Sequence, residues 1–267
     1  MTTPDPPRGL RAVDSPVVGL AVAERRVDDP VATLICVHGG LDRGGSFARL
    51  ARRVERFDVI AYDRRGYQGS RGSGPVTLER HVDDLIALAS IEASQRPVMV
   101  FGHSFGGLVS FGAALREPSL FAQVINFEAP LPWVLERDHR PVAPDTDPSE
   151  EAERFFKRMV SVETWERLSE AERDSRRLDG AALVADLSVL SQPEPFHIAD
   201  IAAPTIYAFG SWARAPYYRQ LTALLHSLNP LIQGVELPDA GHGAHLSHPD
   251  QLARLIERAW NDLCASA

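Results

Sequence analysis

The residues with the clearest chemical promise are Gly102-His103-Ser104-Phe105-Gly106, a G-x-S-x-G spacing that Gly107 extends. A serine hydroxyl becomes a useful nucleophile when a base can take its proton and fixed donors can hold the oxygen that turns negative. A sharp turn from strand to helix presents it that way, and small residues at 102 and 106 let neighbouring backbone approach closely. The context agrees: the apolar run Pro97 to Gly102 precedes the motif and an apolar helical pattern from Phe105 to Arg116 follows it. A helix starting near Phe105 aims its free N–H groups and the positive end of its dipole at the reacting centre. Ser104 is the expected nucleophile.

The elements that must position this turn are written in the same alternating rhythm. Apolar, strand-like runs occur at Val31 to Val37, Phe57 to Tyr62, Pro97 to Gly102, Phe121 to Phe127, Thr205 to Phe209 and Leu231 to Leu237. Helical patterns lie between or after them at Ser46 to Arg53, Thr77 to Ala93, Phe105 to Arg116, Tyr217 to Leu228 and Pro249 to Leu263. Strands that alternate with helices predict an α/β fold, a mostly parallel sheet covered on both faces. The rhythm breaks once, from Leu131 to about Ile201. Prolines 132, 141, 144 and 148 mark an irregular entry, and helical stretches follow at Ser149 to Val160, Val162 to Arg177 and Ala181 to Leu190. The expectation is a core of residues 1–130 and 202–267 with a helical cap, 131–201, inserted between the fourth and fifth runs.

Composition narrows the classes of function. With 267 residues, 44% apolar and 24% charged, the chain can bury one substantial core. A net charge of −8 without a basic cluster argues against nucleic acid or an anionic membrane surface as partner. No apolar run reaches the roughly 18 residues of a membrane span, and the proline-rich start, Met1 to Pro7, is not followed by a signal-peptide core. Cys36 and Cys264 are far apart and show no metal-type spacing; Cys36, inside an apolar run, reads as a small core residue. Lys157 is the sole lysine among many arginines, a bias that points to GC-rich codons and a bacterial source. A cytoplasmic protein without disulfides, metal or organic cofactor, acting on a small molecule, is the expectation.

Four segments in order, His38-Gly39-Gly40, Asp63 to Ser70, Gly102 to Gly107 and Gly241-His242, make the chain resemble the α/β-hydrolase-fold enzymes over roughly Gly19 to Leu263. The resemblance implies several roles. His38-Gly39-Gly40-Leu41 looks like the oxyanion loop, so that the backbone N–H of Gly40, or of Leu41, would pair with that of Phe105; His38 would orient the loop. Asp63 to Ser70 resembles the D-x-R-G-x-G-x-S scaffold loop, with Gln68 where glycine is usual. Gly241-His242 resembles the loop carrying the catalytic histidine, leaving His245 and His248 as pocket or surface residues. Many members place the acid after the strand matching Thr205 to Phe209, where this chain has Ala213. Some branches take it from the end of the preceding strand, where Glu128 stands. Asp239, in the same short loop as His242, is the alternative.

The combined expectation is a Ser104, Glu128 and His242 triad of a serine hydrolase, acting on a small to medium ester through an acyl-enzyme. Trp133, Trp165 and Trp212 are candidates to line an apolar substrate pocket. Because one fold serves many reactions, acyltransferase, lactonase, thioesterase and C–C hydrolase chemistry share the same triad, and a non-catalytic ligand-binding protein is the rival from another class.

Overall fold

The computed structural model describes residues 9–74, 76–136, 142–143 and 145–266. The proline-rich N-terminus and prolines 141 and 144 of the irregular entry lie outside the described residues. Eight strands form one sheet: β1 (Arg11–Val13), β2 (Ala21–Arg25), β3 (Ala32–Val37), β4 (Phe57–Asp63), β5 (Val98–His103), β6 (Gln123–Phe127), β7 (Thr205–Gly210) and β8 (Ile232–Leu237). Their spatial order is β1-β2-β4-β3-β5-β6-β7-β8. The first two pairings are antiparallel and all later ones parallel. The α/β architecture is as expected. The β1–β2 hairpin was not legible, being built from strands of three and five residues with exposed positions and no sustained apolar run.

Period two explains how the central strands serve two cores at once. On β3, Ile35 and Val37 join one hydrophobic cluster while Ala32, Leu34 and Cys36 join the other. Cys36 is fully buried, and desolvation raises its thiol pKa far above the ordinary value, so it packs rather than reacts.

The helices in chain order are α1 (Ala48–Ala51), α2 (Leu78–Ala93), α3 (Phe105–Arg116), α4 (Pro148–Met159), α5 (Val162–Arg167), α6 (Glu170–Leu178), α7 (Gly180–Val189), α8 (Ala215–Leu228), α9 (Ala244–Ser247) and α10 (Pro249–Ser266). Residues of α2, α3 and α8 pack in the first cluster and those of α1 and α10 in the second. Thr77 caps α2 by accepting from the Arg80 N–H. Four helices, α4 to α7, fill the interval between β6 and β7. The expected single helix from Val162 to Arg177 is two. Ser169 accepts from the Glu172 N–H while the Glu172 carboxylate accepts from the Ser169 N–H, a capping box that starts α6 afresh. Among the described residues no helix is long and apolar enough to cross a membrane.

Candidate active site

Strand order reverses at β3, with β4 on one side and β5 on the other, and open α/β sheets gather their sites at such a switch point. Register aligns the relevant strand ends: Val37 lies opposite Gly102, His103 opposite Phe127, and Phe127 opposite Ala208. The residues at or just beyond these ends, 38–41, 104, 128 and 210, are therefore brought to one edge of the sheet.

Ser104 occupies the single position between β5 and α3, with φ 52° and ψ −124°. A left-handed conformation at a non-glycine residue costs on the order of 1–3 kcal/mol, and neighbouring bonds hold it. The Ser104 N–H donates to the Phe127 carbonyl at 2.9 Å, and the Ser104 carbonyl accepts from the Gly107 N–H at 2.8 Å. Glycine at 106 is needed for space, because a Cβ there would run into the Val37 carbonyl oxygen. A Cβ on Gly39 would stand 2.9 Å from the Ser104 Cβ. The loop after β3 thus presses directly on the turn that carries the serine.

Glu128 also has a positive φ, 50°, at the end of β6. Its N–H donates to the Ala208 carbonyl at 2.9 Å, which ties the bend to β7. The carboxylate is 4% exposed, and each oxygen has its own donor. Oε2 meets His242 Nδ1 at 2.7 Å and Oε1 accepts from the Gly210 N–H at 3.0 Å. A carboxylate accepts, so the proton of a neutral His242 ring lies on Nδ1 and Nε2 keeps a free lone pair. Asp239 is exposed and its N–H donates to Ser211 Oγ at 2.8 Å, whereas it is Glu128 that meets Nδ1 of the His242 ring.

Ser104, Glu128, His242, Gly40 and Phe105 all line one cavity of about 620 Å³. Leu41 does not line it. Leu41 has φ 51° and packs with Ala152, Phe156, Trp165 and Leu183, and its carbonyl accepts from Arg176 Nη1 at 2.9 Å. Of the two loop positions expected to donate to an oxyanion, Gly40 is the one that reaches the cavity.

The three tryptophans do not line this cavity. Trp165 is buried against Phe156, ring centroids 5.3 Å apart, in the small core of α4 to α7. Trp133 donates its Nε1–H to the Gln192 carbonyl at 2.7 Å, and Trp212 lies 60% exposed over Gly241. The apolar wall comes instead from Leu131, Phe155, Met159, Leu183, Leu187 and Leu190, with Tyr217, Arg158 and Arg214 adding polar edges. These sit in amphipathic helices and loops whose cavity-facing side has no distinctive sequence signal.

His245 is neither a pocket nor a surface residue. It is buried, with Nε2 3.1 Å from Asp42 Oδ2, and its ring lies 4.2 Å from that of His103, centroid to centroid. His103 Nε2 donates in turn to the His242 carbonyl at 2.8 Å. Burial opposes ionisation of Asp42, but its hydrogen bond and charge contact with His245 hold the carboxyl well below the usual range. Asp42, His103 and His245 are the one group of metal-type ligands that comes together among the described residues. Two imidazoles meeting on one zinc at ~2.0–2.1 Å would place their ring centres about 5 Å apart. The rings here stand closer, 4.2 Å apart at a 47° tilt, and the Nε2 atom of each is already engaged, by Asp42 and by the His242 carbonyl. His248 lies aside, its Nδ1 2.8 Å from Ser247 Oγ.

The loop after β4 behaves as scaffold. Asp63 accepts from the N–H groups of Gly44 and Gly69 at 2.8 and 3.0 Å. Gln68, with φ 42°, donates from its N–H and its side chain to the two oxygens of Asp179.

Comparison with known proteins agrees with this fold. Residues 34–255 match the model of the alpha/beta hydrolase family. A pimeloyl-[acyl-carrier protein] methyl ester esterase of Yersinia enterocolitica is 26% identical over 242 residues, covering 84% of this chain and 91% of the relative. Lipase LipV of Mycobacterium tuberculosis is 32% identical over 94 residues; that match spans about a third of each protein, 35% of this chain and 36% of the relative. Among solved structures, an epoxide hydrolase variant from Solanum tuberosum aligns with a TM-score of 0.70 at 18% identity, over 95% of this chain and 99% of the other. A thermophilic esterase from Thermogutta terrifontis aligns with 0.66 at 20% identity, over 95% and 98%. At such identities the structural likeness speaks for the fold alone. Strand order, the strained serine turn and a family match over most of its length lead to one assignment: this chain belongs to the alpha/beta hydrolase family.

Proposed function

We propose that the protein is a serine esterase whose triad is Ser104, His242 and Glu128. The observation that carries the reading is the 2.7 Å contact of Glu128 Oε2 with His242 Nδ1, with both residues on the cavity that Ser104 lines. In the proposed reaction Ser104 Oγ bonds to the substrate carbonyl carbon and its proton passes to His242 Nε2. The carbonyl electron pair moves onto oxygen, facing the N–H groups of Gly40 and Phe105. Collapse expels the alcohol, which leaves with the proton from His242. Water then repeats the sequence on the acyl-enzyme and releases the acid. Glu128 fixes the ring tautomer and stabilises the imidazolium. Epoxide hydrolases need a carboxylate nucleophile, so a serine at this position separates the chain from those structural neighbours in chemistry.

Ester substrates are favoured because two relatives in sequence are named as a lipase and a methyl ester esterase. A cavity of about 620 Å³ suits a small to medium acyl group. In this reading residues 131–201 act as a cap over the 1–130 and 202–267 core, since α4 and α7 supply Phe155, Met159, Leu183 and Leu187 to the wall. The test is a series of p-nitrophenyl esters from acetyl to octanoyl, followed in the first turnover. An initial burst near one product per chain, absent in Ser104→Ala, is expected. Folded protein that turns over no ester, thioester or lactone would favour the ligand-binding reading. Ester product dominating over free acid when an alcohol competes with water would assign an acyltransferase.

A further inference from the structure

The serine-esterase reading leaves unexplained a buried arginine next to the oxyanion loop. Arg64, just after β4, is fully buried. Its Nε donates to the His38 carbonyl at 2.9 Å and its Nη2 to the Gly39 carbonyl at 3.2 Å. The Arg64 backbone N–H donates to His38 Nε2 at 2.8 Å, which puts the ring proton of neutral His38 on Nδ1, and that atom reaches the Gly39 carbonyl at 2.7 Å. Two donors therefore grip one carbonyl, that of Gly39.

Gripping that carbonyl has a geometric consequence. The peptide group is planar and trans, so its N–H points opposite to its C=O. Pinning the Gly39 oxygen towards Arg64 turns the Gly40 N–H away from Arg64, and Gly40 is the loop residue on the cavity wall. The guanidinium also lies over the ring of Phe105, 5.0 Å from its centroid, and over that of Tyr67 at 4.8 Å. Phe105 supplies the second proposed oxyanion donor. One side chain thus touches both halves of the oxyanion site from behind.

A buried cation is costly unless it is paired and its donors are satisfied. The partner is Asp186 of α7, which takes Nη2 at 2.5 Å and Nη1 at 3.2 Å. Tyr67 donates its hydroxyl to Asp186 at 2.6 Å, and His81 Nε2 stands 3.5 Å from the other oxygen. Asp186 itself lines the cavity. The anchor of the oxyanion loop is therefore held by a helix that walls the cavity.

We propose that Arg64, held by Asp186, is a positioning residue that fixes the Gly39–Gly40 peptide so that its N–H meets the oxyanion. This rests on the serine-esterase reading. The pair should matter more for the tetrahedral state than for substrate binding. Removing one oxyanion donor typically costs about 10²–10³ in kcat; misaligning one should cost less, roughly 10- to 100-fold.

The experiment compares wild type with Arg64→Gln, Arg64→Lys and Asp186→Asn, each checked for folding by circular dichroism and Tm. It measures kcat and KM for p-nitrophenyl butyrate, and Ki for a trifluoromethyl ketone that forms an oxyanion when Ser104 adds to it. Expected in Arg64→Gln are a kcat loss of roughly 10- to 100-fold and a KM within about threefold of wild type, with Ki rising by the factor that kcat/KM falls. Asp186→Asn should show a smaller loss with the same parallel. Folded Arg64→Gln with kcat and Ki near wild type, or with Ki unmoved while kcat/KM falls, overturns the proposal. If neither Arg64 variant folds, Asp186→Asn decides on the same two criteria. Wild type that neither binds the ketone nor turns over the ester overturns the esterase reading and this proposal together, and that result is visible before any variant is made.

Discussion

The Glu128 carboxylate shares its two oxygens between the His242 ring and the Gly210 N–H, and that division decides what each substitution should do. Glu128→Gln keeps the shape and can still accept from Gly210, but it loses the charge that, in the proposed triad, would hold the imidazolium. Exchanging the orienting acid for its amide lowers kcat by about 10⁴ in a serine protease triad. A loss of at least ~10²-fold is expected here with an unchanged circular dichroism spectrum, while Asp239→Asn stays near wild type. The reverse order of kcat values would move the acid to Asp239. The histidines separate in another way. His242→Ala should remove most turnover. His245→Ala should keep a measurable share yet unfold more easily, by about 1–3 kcal/mol, because it strips a buried partner from Asp42. Denaturant midpoints beside initial rates read both effects. The turn that carries Ser104 was legible because its motif brings its own strand and helix, and Glu128 drew attention as the acid candidate because Ala213 stands at the other position. The tryptophans misled because a large aromatic can fill the core of its own helical segment, as Trp165 does, or lie exposed on a loop, as Trp212 does.

At the scale of elements, the junction between β3, β5 and α3 tolerates the least change. A methyl group at Gly106 would collide with the Val37 carbonyl, which is backbone in a central strand and has nowhere to go. Gly106→Ala should therefore cost about 1–3 kcal/mol, the usual range for overpacking, and displace Ser104 as well. Thermal unfolding should show a lowered Tm together with a loss of turnover larger than the stability change explains. Wild-type kcat in that variant would mean that the turn can shift without harm. Six of the eight strands were readable within about two residues because their β-branched runs end in loop signals. The break between α5 and α6 was not, since an apolar periodicity continues across Leu168-Ser169 and only the Ser169–Glu172 pair announces a new start. Arg64 and Asp186 were invisible as a pair: they are far apart in sequence, and only folding brings α7 to the loop after β4.

Across the whole molecule, three buried histidines make stability depend on pH. Burial, with the Arg64 guanidinium beside it, pushes His38 down to about 3. His103 is held well below its ordinary value by burial and by His245 and His242, and His81 is lowered by burial and by Arg64. The folded pKa is the lower one in each case, so unfolding takes up protons below the unfolded value of about 6.5. The stabilisation is complete above that pH and drains as pH falls, towards about 3 for His38. The Tm should decline steadily from about pH 7 to about pH 4, with proton uptake measurable by calorimetry in buffers of different ionisation heat. A flat Tm over that range would contradict the neutral, buried state of these rings. The central claim concerns chemistry, and labelling with a fluorophosphonate followed by peptide mass spectrometry tests it most directly. One adduct per chain is expected on the peptide containing Ser104, with labelling lost in Ser104→Ala and slowed by at least ~10²-fold in His242→Ala. An adduct on another serine, or ester turnover by a protein whose Ser104 never labels, would contradict the account.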